Sequence, residues 1–156
     1  MIQMNSDEFS VFKNRSIQNL AEQIAEDFGL SQDQAITQAN EKFNSYLPLG
    51  LKTTGHDFYQ IKDASGNPCG YLWYGERLER NKRSIFIYDI LVEEQFRGRG
   101  YAKWMLGWLE NTVKCMNIDE ITLHVLGYNY KARELYETNG FETTHLYMSK
   151  KLLKNC

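Results

Sequence analysis

Ile85-Phe86-Ile87-Tyr88-Asp89-Ile90-Leu91-Val92 is an almost unbroken apolar and aromatic run, interrupted only by Asp89. A strand of this kind has to be covered on both faces, so helices must lie on either side of its sheet. Directly after it comes Arg97-Gly98-Arg99-Gly100-Tyr101-Ala102. Ala102, Met105, Leu106, Leu109 and Val113 then share one side of a helix. Strand, glycine turn and helix therefore form the centre of the predicted fold.

The flanking segments fit around that centre. Phe9, Phe12, Leu20, Ile24 and Phe28 keep to one helix face until Gly29 breaks the pattern. Ser31 and Gln34 form a capping box for a second helix with Ile36, Ala39, Phe43 and Tyr46 on its apolar stripe, ended by Pro48 and Gly50. Asp57 to Lys62 and Gly70 to Tyr74 read as aromatic-rich strands joined by the turn Asp63-Ala64-Ser65-Gly66-Asn67-Pro68. A charged loop is expected from Glu76 to Arg83, as a gate or, on the favoured reading, a solvated hairpin end. Ile121, Leu123 and Val125 alternate with Thr122 and His124 as a further strand. Asn129 caps a helix bearing Ala132, Leu135 and Tyr136, Asn139-Gly140 stops it, and Phe141 to Met148 is expected as a last strand. The fold class is mixed α/β with helices on both faces of the sheet. No internal repeat or linker appears, so residues 1–156 are expected to form a single domain.

Bulk properties exclude several functions. A formal net charge of -2 over 156 residues gives no case for nucleic acid as a partner. No stretch approaches a membrane span, and Met1-Ile2-Gln3-Met4-Asn5 lacks the character of a signal peptide. Cys69, Cys115 and Cys156 are scattered and form no CxxC pair, so no metal site or disulfide framework is expected, and the cytoplasm is the default location. The basic residues are uneven: Arg77, Arg80, Lys82, Arg83, Arg97, Arg99 and Lys103 fall in one stretch. That is a local anion site or a solvated face, and charge alone favours the face.

Position gives the glycines their purpose. The first turn of a helix leaves backbone N–H groups without internal partners, and its dipole favours negative charge. Gly98 and Gly100 let a diphosphate approach those donors without a Cβ in the way, with Arg97 and Arg99 adding charge. A P-loop would need Gly-Lys-Ser/Thr where Gly100-Tyr101-Ala102 stands, and a dinucleotide fingerprint would need a third glycine in place of Lys103. On the two glycines alone, an ordinary tight turn remains the simpler reading.

Gln95-Phe96-Arg97-Gly98-Arg99-Gly100 resembles the Gln/Arg-x-x-Gly-x-Gly/Ala signature of the GNAT superfamily of N-acetyltransferases. The block from Asn129 through Ala132, Leu135 and Tyr136 to Gly140-Phe141 is similar to that family's Asn-x-x-Ala-x-x-Leu-Tyr-x-x-x-Gly-Phe pattern. Glu94 stands where a proline is common and Ala102 where a glycine is common. The resemblance is sharpest from about Ser84 to Met148 and implies a mostly antiparallel central sheet. It also implies transfer of acetyl from acetyl-CoA, without metal, to a primary amine: a protein N-terminus, a lysine or a small molecule. By the same resemblance, backbone groups of Ile90, Leu91 and Val92 pair with the pantetheine arm. The amides from Gly98 through Arg99, Gly100, Tyr101 and Ala102 to Lys103 take the pyrophosphate, beside Arg97. Asn129 bonds the cofactor near its pantetheine end, and Tyr136 protonates the departing sulfur. A catalytically silent acyl-CoA-binding module is the alternative, and the chain is expected as a monomer or homodimer.

Direct transfer needs a neutral amine, and an alkylammonium titrates near ~10.4, so a base helps at neutral pH. Asp89 is the candidate, because a carboxylate on an apolar strand is costly unless it is bonded or functional. A structural role for it stays equally open, with Glu76 and His124 as reserves. A backbone N–H near Val92 suits the developing oxyanion. Trp73, Tyr74, Tyr88 and Tyr46 are candidates for an acceptor pocket, against the plainer reading that they fill the core.

Overall fold

The computed structural model describes residues 1–79, 81–150 and 152. Arg80 and Cys156, singled out above, lie outside the described residues. Two compact units are present, Met1–His124 and Val125–Cys156.

The first unit opens with β1 (Ile2–Gln3) and α1 (Ser6–Phe28). Asn5 starts α1 by accepting the amides of Asp7 and Glu8, each at 3.0 Å, while Glu8 returns a bond to the Asn5 amide. Gly29, at φ 64°, ends it. The expected Ser31–Gln34 box caps α2 (Gln32–Tyr46). Next come β2 (His56–Lys62), β3 (Pro68–Glu79), β4 (Lys82–Val92), α3 (Tyr101–Cys115) and β5 (Ile121–Leu123). The sheet order is β1-β2-β3-β4-β5, antiparallel except for the parallel β4–β5 pair.

Strand alternation sorts the side chains onto two faces. Phe58, Tyr71 and Trp73 face α1 and α2, where they pack with Phe9, Phe12, Ala39 and Phe43. Phe12 lies within 6.1 Å of Phe58, Tyr71 and Trp73, centroid to centroid. The other face receives α3, whose buried residues are Met105, Leu106, Leu109 and Val113. Trp108 of α3 meets Tyr59 at 4.8 Å. Helices on both faces of a mostly antiparallel sheet are what the buried run at 85–92 requires.

Two departures from the sequence reading concern strands. The charged stretch from Glu76 is a hairpin end, in keeping with the favoured reading, but one built of strand and not of loop: β3 continues to Glu79, β4 begins at Lys82, and the pair forms a long hairpin. Cross-strand pairing, including the Glu76–Arg83 ion pair at 2.6 Å, holds polar residues in strand geometry there. The strand expected from Phe141 to Met148 is absent among the described residues, and Val125 lies beyond the end of β5. Alternation alone does not make a strand without a ladder partner, and residues 142–150 are exposed. The second unit holds α4 (Tyr130–Thr138), capped by Asn129 as expected, its side-chain oxygen accepting the Ala132 amide at 3.2 Å.

Candidate active site

The site of the first unit is built along one continuous piece of chain, from β4 through the glycine turn into α3. β3 covers one edge of β4 along its whole length, whereas β5 pairs only with Ile85, Phe86 and Ile87 on the other edge. From Tyr88 to Val92 that second edge has no strand beside it among the described residues. The amide of Glu93 donates to the carbonyl of Cys69 at 2.8 Å, which fixes the phase of the ladder. Since successive N–H groups point to opposite edges, Leu91 faces β3 while Ile90 and Val92 present their amides to the open edge.

A bulge shifts the register within this segment. Trp73 faces Asp89 but Tyr74 faces Ile87, so Tyr88 is the extra residue. The bulge lets Tyr88 and Asp89 both reach the α1 side. Tyr88 stacks on Trp73 at 4.6 Å, and Asp89 accepts a hydrogen bond from the Ser16 hydroxyl of α1 at 2.9 Å. Burial raises the Asp89 pKa, while Ser16, the charge of Arg15 and the Ile90 amide act in the opposite sense. Next to it Arg15 pairs with Glu93 and lies 5.6 Å from the Tyr71 ring.

Beyond Glu93 a short 3-10 turn, Glu94–Phe96, leads into the glycines. Gly98 and Gly100 have φ of 72° and 81°, a region that penalises a Cβ. A Cβ placed on either would meet nothing within 4 Å. Open space therefore lies over the turn. Gly100 is the N-cap of α3 and no side chain bonds the helix start, so the amides of the first turn are available to an anion. Arg97 donates to the Val92 carbonyl at 3.1 Å and ties the turn to the end of β4. Arg99 lies 5.6 Å from the Phe96 ring. Gly100 and Lys103 also begin a shallow concavity of about 590 Å³ that follows α3 past Trp104, Gly107 and Trp108 to Asn111.

Other candidates fare differently. Asn129 and Tyr136 belong to the second unit. Capping of α4 uses the Asn129 side-chain oxygen and leaves its amide N–H groups as donors. Tyr136 is half-buried, its ring 5.6 Å from Phe141. Glu76 is gripped by Arg83 through two hydrogen bonds of 2.6 and 3.0 Å, which lowers its pKa and makes it a poor base. His124 is exposed just after β5. Trp73 and Tyr74 are buried and fill the core, leaving Tyr46 and Tyr88 as the less buried pair of the four aromatics.

His56 was not visible as special in the sequence. Its Nδ1 accepts from Trp73 Nε1 at 3.0 Å, and its ring lies 5.0 Å from Tyr88. Burial, then the nearby charge of Arg77, lowers its pKa, so it stays neutral with its proton on Nε2. Ser16 and Arg15 were equally hidden, since their partners lie more than 70 residues away in the chain.

Among the described residues no group of three or more His, Cys, Asp and Glu side chains could hold a metal ion, and no helix is long and apolar enough to cross a membrane. An uncapped helix start behind a glycine turn, beside a strand edge open from Tyr88 to Val92, fits a long ligand with a diphosphate at one end.

Comparison with known proteins agrees. Residues 17–141 match the family model described as Acetyltransferase (GNAT) family. Two Bacillus subtilis (strain 168) proteins named as uncharacterized N-acetyltransferases are similar over nearly the full length. YycN is 34% identical over 149 residues, 96% of each chain. YdgE is 30% identical over 150 residues, 96% of this chain and 95% of its own. A crystal structure of YycN superposes with a TM-score of 0.89 at 33% identity, covering 98% of both chains. At the level of fold alone, AAC(6')-Iy in complex with a bisubstrate analogue, CoA-S-monomethyl-acetylneamine, gives a TM-score of 0.62 at 19% identity, covering 99% of this chain and 96% of that one. The chain therefore belongs to the GNAT family of acetyltransferases, whose fold implies acetyl-CoA as co-substrate.

Proposed function

We propose that the chain acetylates a primary amine by direct attack on acetyl-CoA within a ternary complex. The amine is that of a protein N-terminus, a lysine or a small molecule. The observation that carries this reading is the order of parts along one segment: Asp89 beside the Tyr88 bulge, the open edge through Val92, and the bare start of α3. The bisubstrate analogue held by the AAC(6')-Iy fold joins coenzyme A to an acceptor, which supports a ternary complex.

Acetyl-CoA supplies an activated thioester; the protein orients it and moves protons. Ile90, Leu91 and Val92 flank the pantetheine arm in the manner of an added strand. The Val92 amide, on the open edge beyond Asp89, is the donor for charge building on the thioester oxygen. Amides from Gly98 through Arg99, Gly100, Tyr101 and Ala102 to Lys103 receive the pyrophosphate, with Arg97 and Lys103 as nearby cations. Asn129 offers its side-chain N–H to the pantetheine end.

Asp89 takes the proton of the acceptor ammonium. Its burial raises its affinity for a proton and improves it as a base. The neutral amine forms the new C–N bond, the C–S bond breaks, Tyr136 protonates the leaving thiolate, and the second proton that the nitrogen loses on becoming an amide returns through solvent to the Tyr136 phenolate. Residues 1–156 act as one catalytic domain in this reading, supported by a family match that crosses the boundary at His124. Free thiols at Cys69 and Cys115 suit the reducing cytoplasm.

An acceptor screen over amines and peptides, read by release of free thiol from acetyl-CoA, tests the proposal. Transfer to at least one amine, with amide product by mass, is expected; thiol release that never requires an amine would overturn it.

A further inference from the structure

The fold accounts for most of the clustered basic residues. Lys82 pairs with Glu120 at 3.3 Å and Arg83 with Glu76 at 2.6 Å. Arg97, Arg99 and Lys103 stand at the glycine turn. Arg77 is left over. Among the described residues no carboxylate lies within ion-pair distance of it. Its guanidinium instead lies 3.4 Å from the centroid of Phe86 and 5.0 Å from that of Tyr88, and its Nε donates to the Tyr88 hydroxyl at 3.3 Å. Tyr46, 37% exposed, meets Tyr88 at 5.2 Å, and His56 meets it at 5.0 Å. Asp57, beside His56 in the chain, acts on Tyr59 and Tyr74 of the opposite face and also on His56 itself, where its charge opposes that of Arg77.

This cluster shares the α1 face of the sheet with Asp89. Arg77 pairs with Ser84 and Asp89 with Trp73, so Arg77 and the proposed base stand four residues apart along β3, roughly 13 Å between backbone positions, with the Arg77 side chain reaching back over Phe86. A half-buried guanidinium held flat against rings is pre-organised to present its remaining N–H groups to a planar anion.

From this we infer that Arg77 binds a carboxylate of the acceptor, which makes the acceptor a peptide whose reacting amine lies close to an acidic side chain. The inference rests on the amine acetylation proposed above. A free α-amino acid carries its carboxylate one carbon from the amine, too short for the span from Asp89 to Arg77. A polyamine would bring a second cation toward Arg77 and be repelled. In an extended peptide, neighbouring Cα atoms are ~3.8 Å apart, so an Asp or Glu one or two residues from the reacting amine reaches the required distance.

The test uses the full chain, acetyl-CoA and matched peptides that differ only in Asp or Glu against Asn or Gln at the second and third positions. Wild type is expected to favour the acidic member by about tenfold in kcat/KM, the scale of one charge-assisted hydrogen bond. Arg77→Gln should bring the acid-to-amide ratio close to one, and Arg77→Lys should retain part of it. Because the readout is a ratio within each variant, a general loss of activity does not mimic the effect. A wild-type ratio near one, or a ratio that persists in Arg77→Gln, overturns the assignment. If wild type acetylates only non-peptide amines, Arg77 is misassigned while amine acetylation stands; if no acceptor releases thiol, both fall.

Discussion

A carboxylate on β4 loses hydration when α1 closes over it, and the 2.9 Å bond from Ser16 restores only part of what water gave. The raised pKa of Asp89 has a consequence for stability. Its native state holds the proton to higher pH than the unfolded chain does, so stability contributed by the neutral form falls as pH rises through the ordinary carboxylate range toward the native pKa. Asp89→Asn should therefore melt no lower than wild type at neutral pH, and gain relative to it as pH is raised from about 4. Its kcat/KM should fall by about a hundredfold, the usual scale of a lost general base. A Tm well below wild type would mark Asp89 as a structural residue instead. Tyr136→Phe removes one oxygen, so turnover should drop about tenfold or more while acetyl-CoA affinity holds. Unchanged turnover would remove Tyr136 as the acid. Asp89 stood out in the sequence because it breaks an apolar run. Ser16, Arg15 and His56 did not, because what gives them a role is contact with residues remote in the chain.

At the scale of elements, the proposed chemistry belongs to the ends of β4 and α3. The helix caps, the central strand and the glycine turn were legible because each depends on local chemistry: a side chain at an N-cap, a run of apolar residues, a φ only glycine adopts readily. The hairpin from Glu76 to Arg83 was less so, since its strands are held by cross-strand pairs rather than by apolar alternation. The bulge at Tyr88 and the early parting of β5 from β4 leave no local mark. Yet these two features open the edge for Ile90 and Val92. Gly100→Val tests the element directly. At φ 81° a β-branched residue is strained, and its side chain would fill the space over the amides. Acetyl-CoA affinity should fall by about tenfold or more, with the loss appearing in KM for acetyl-CoA and little dependence on which amine is used.

For the molecule as a whole, stability of the first unit rests on the aromatic core between α1, α2 and the sheet. Phe12 is 1% exposed and touches three other rings. Phe12→Ala should cost about 3–5 kcal/mol in urea unfolding, the range for a deleted buried aromatic. The expected final strand, Phe141 to Met148, shows the limit of pattern reading at this scale: pairing is a property of the assembled sheet and not of one segment. The proposed reaction depends on a pyrophosphate seated at Gly98 to Gly100. Calorimetric titration of the full chain with acetyl-CoA should give saturable binding at one site per chain, weakened about tenfold by Gly100→Val. No heat of binding up to millimolar acetyl-CoA, or equal affinity in wild type and Gly100→Val, would contradict it.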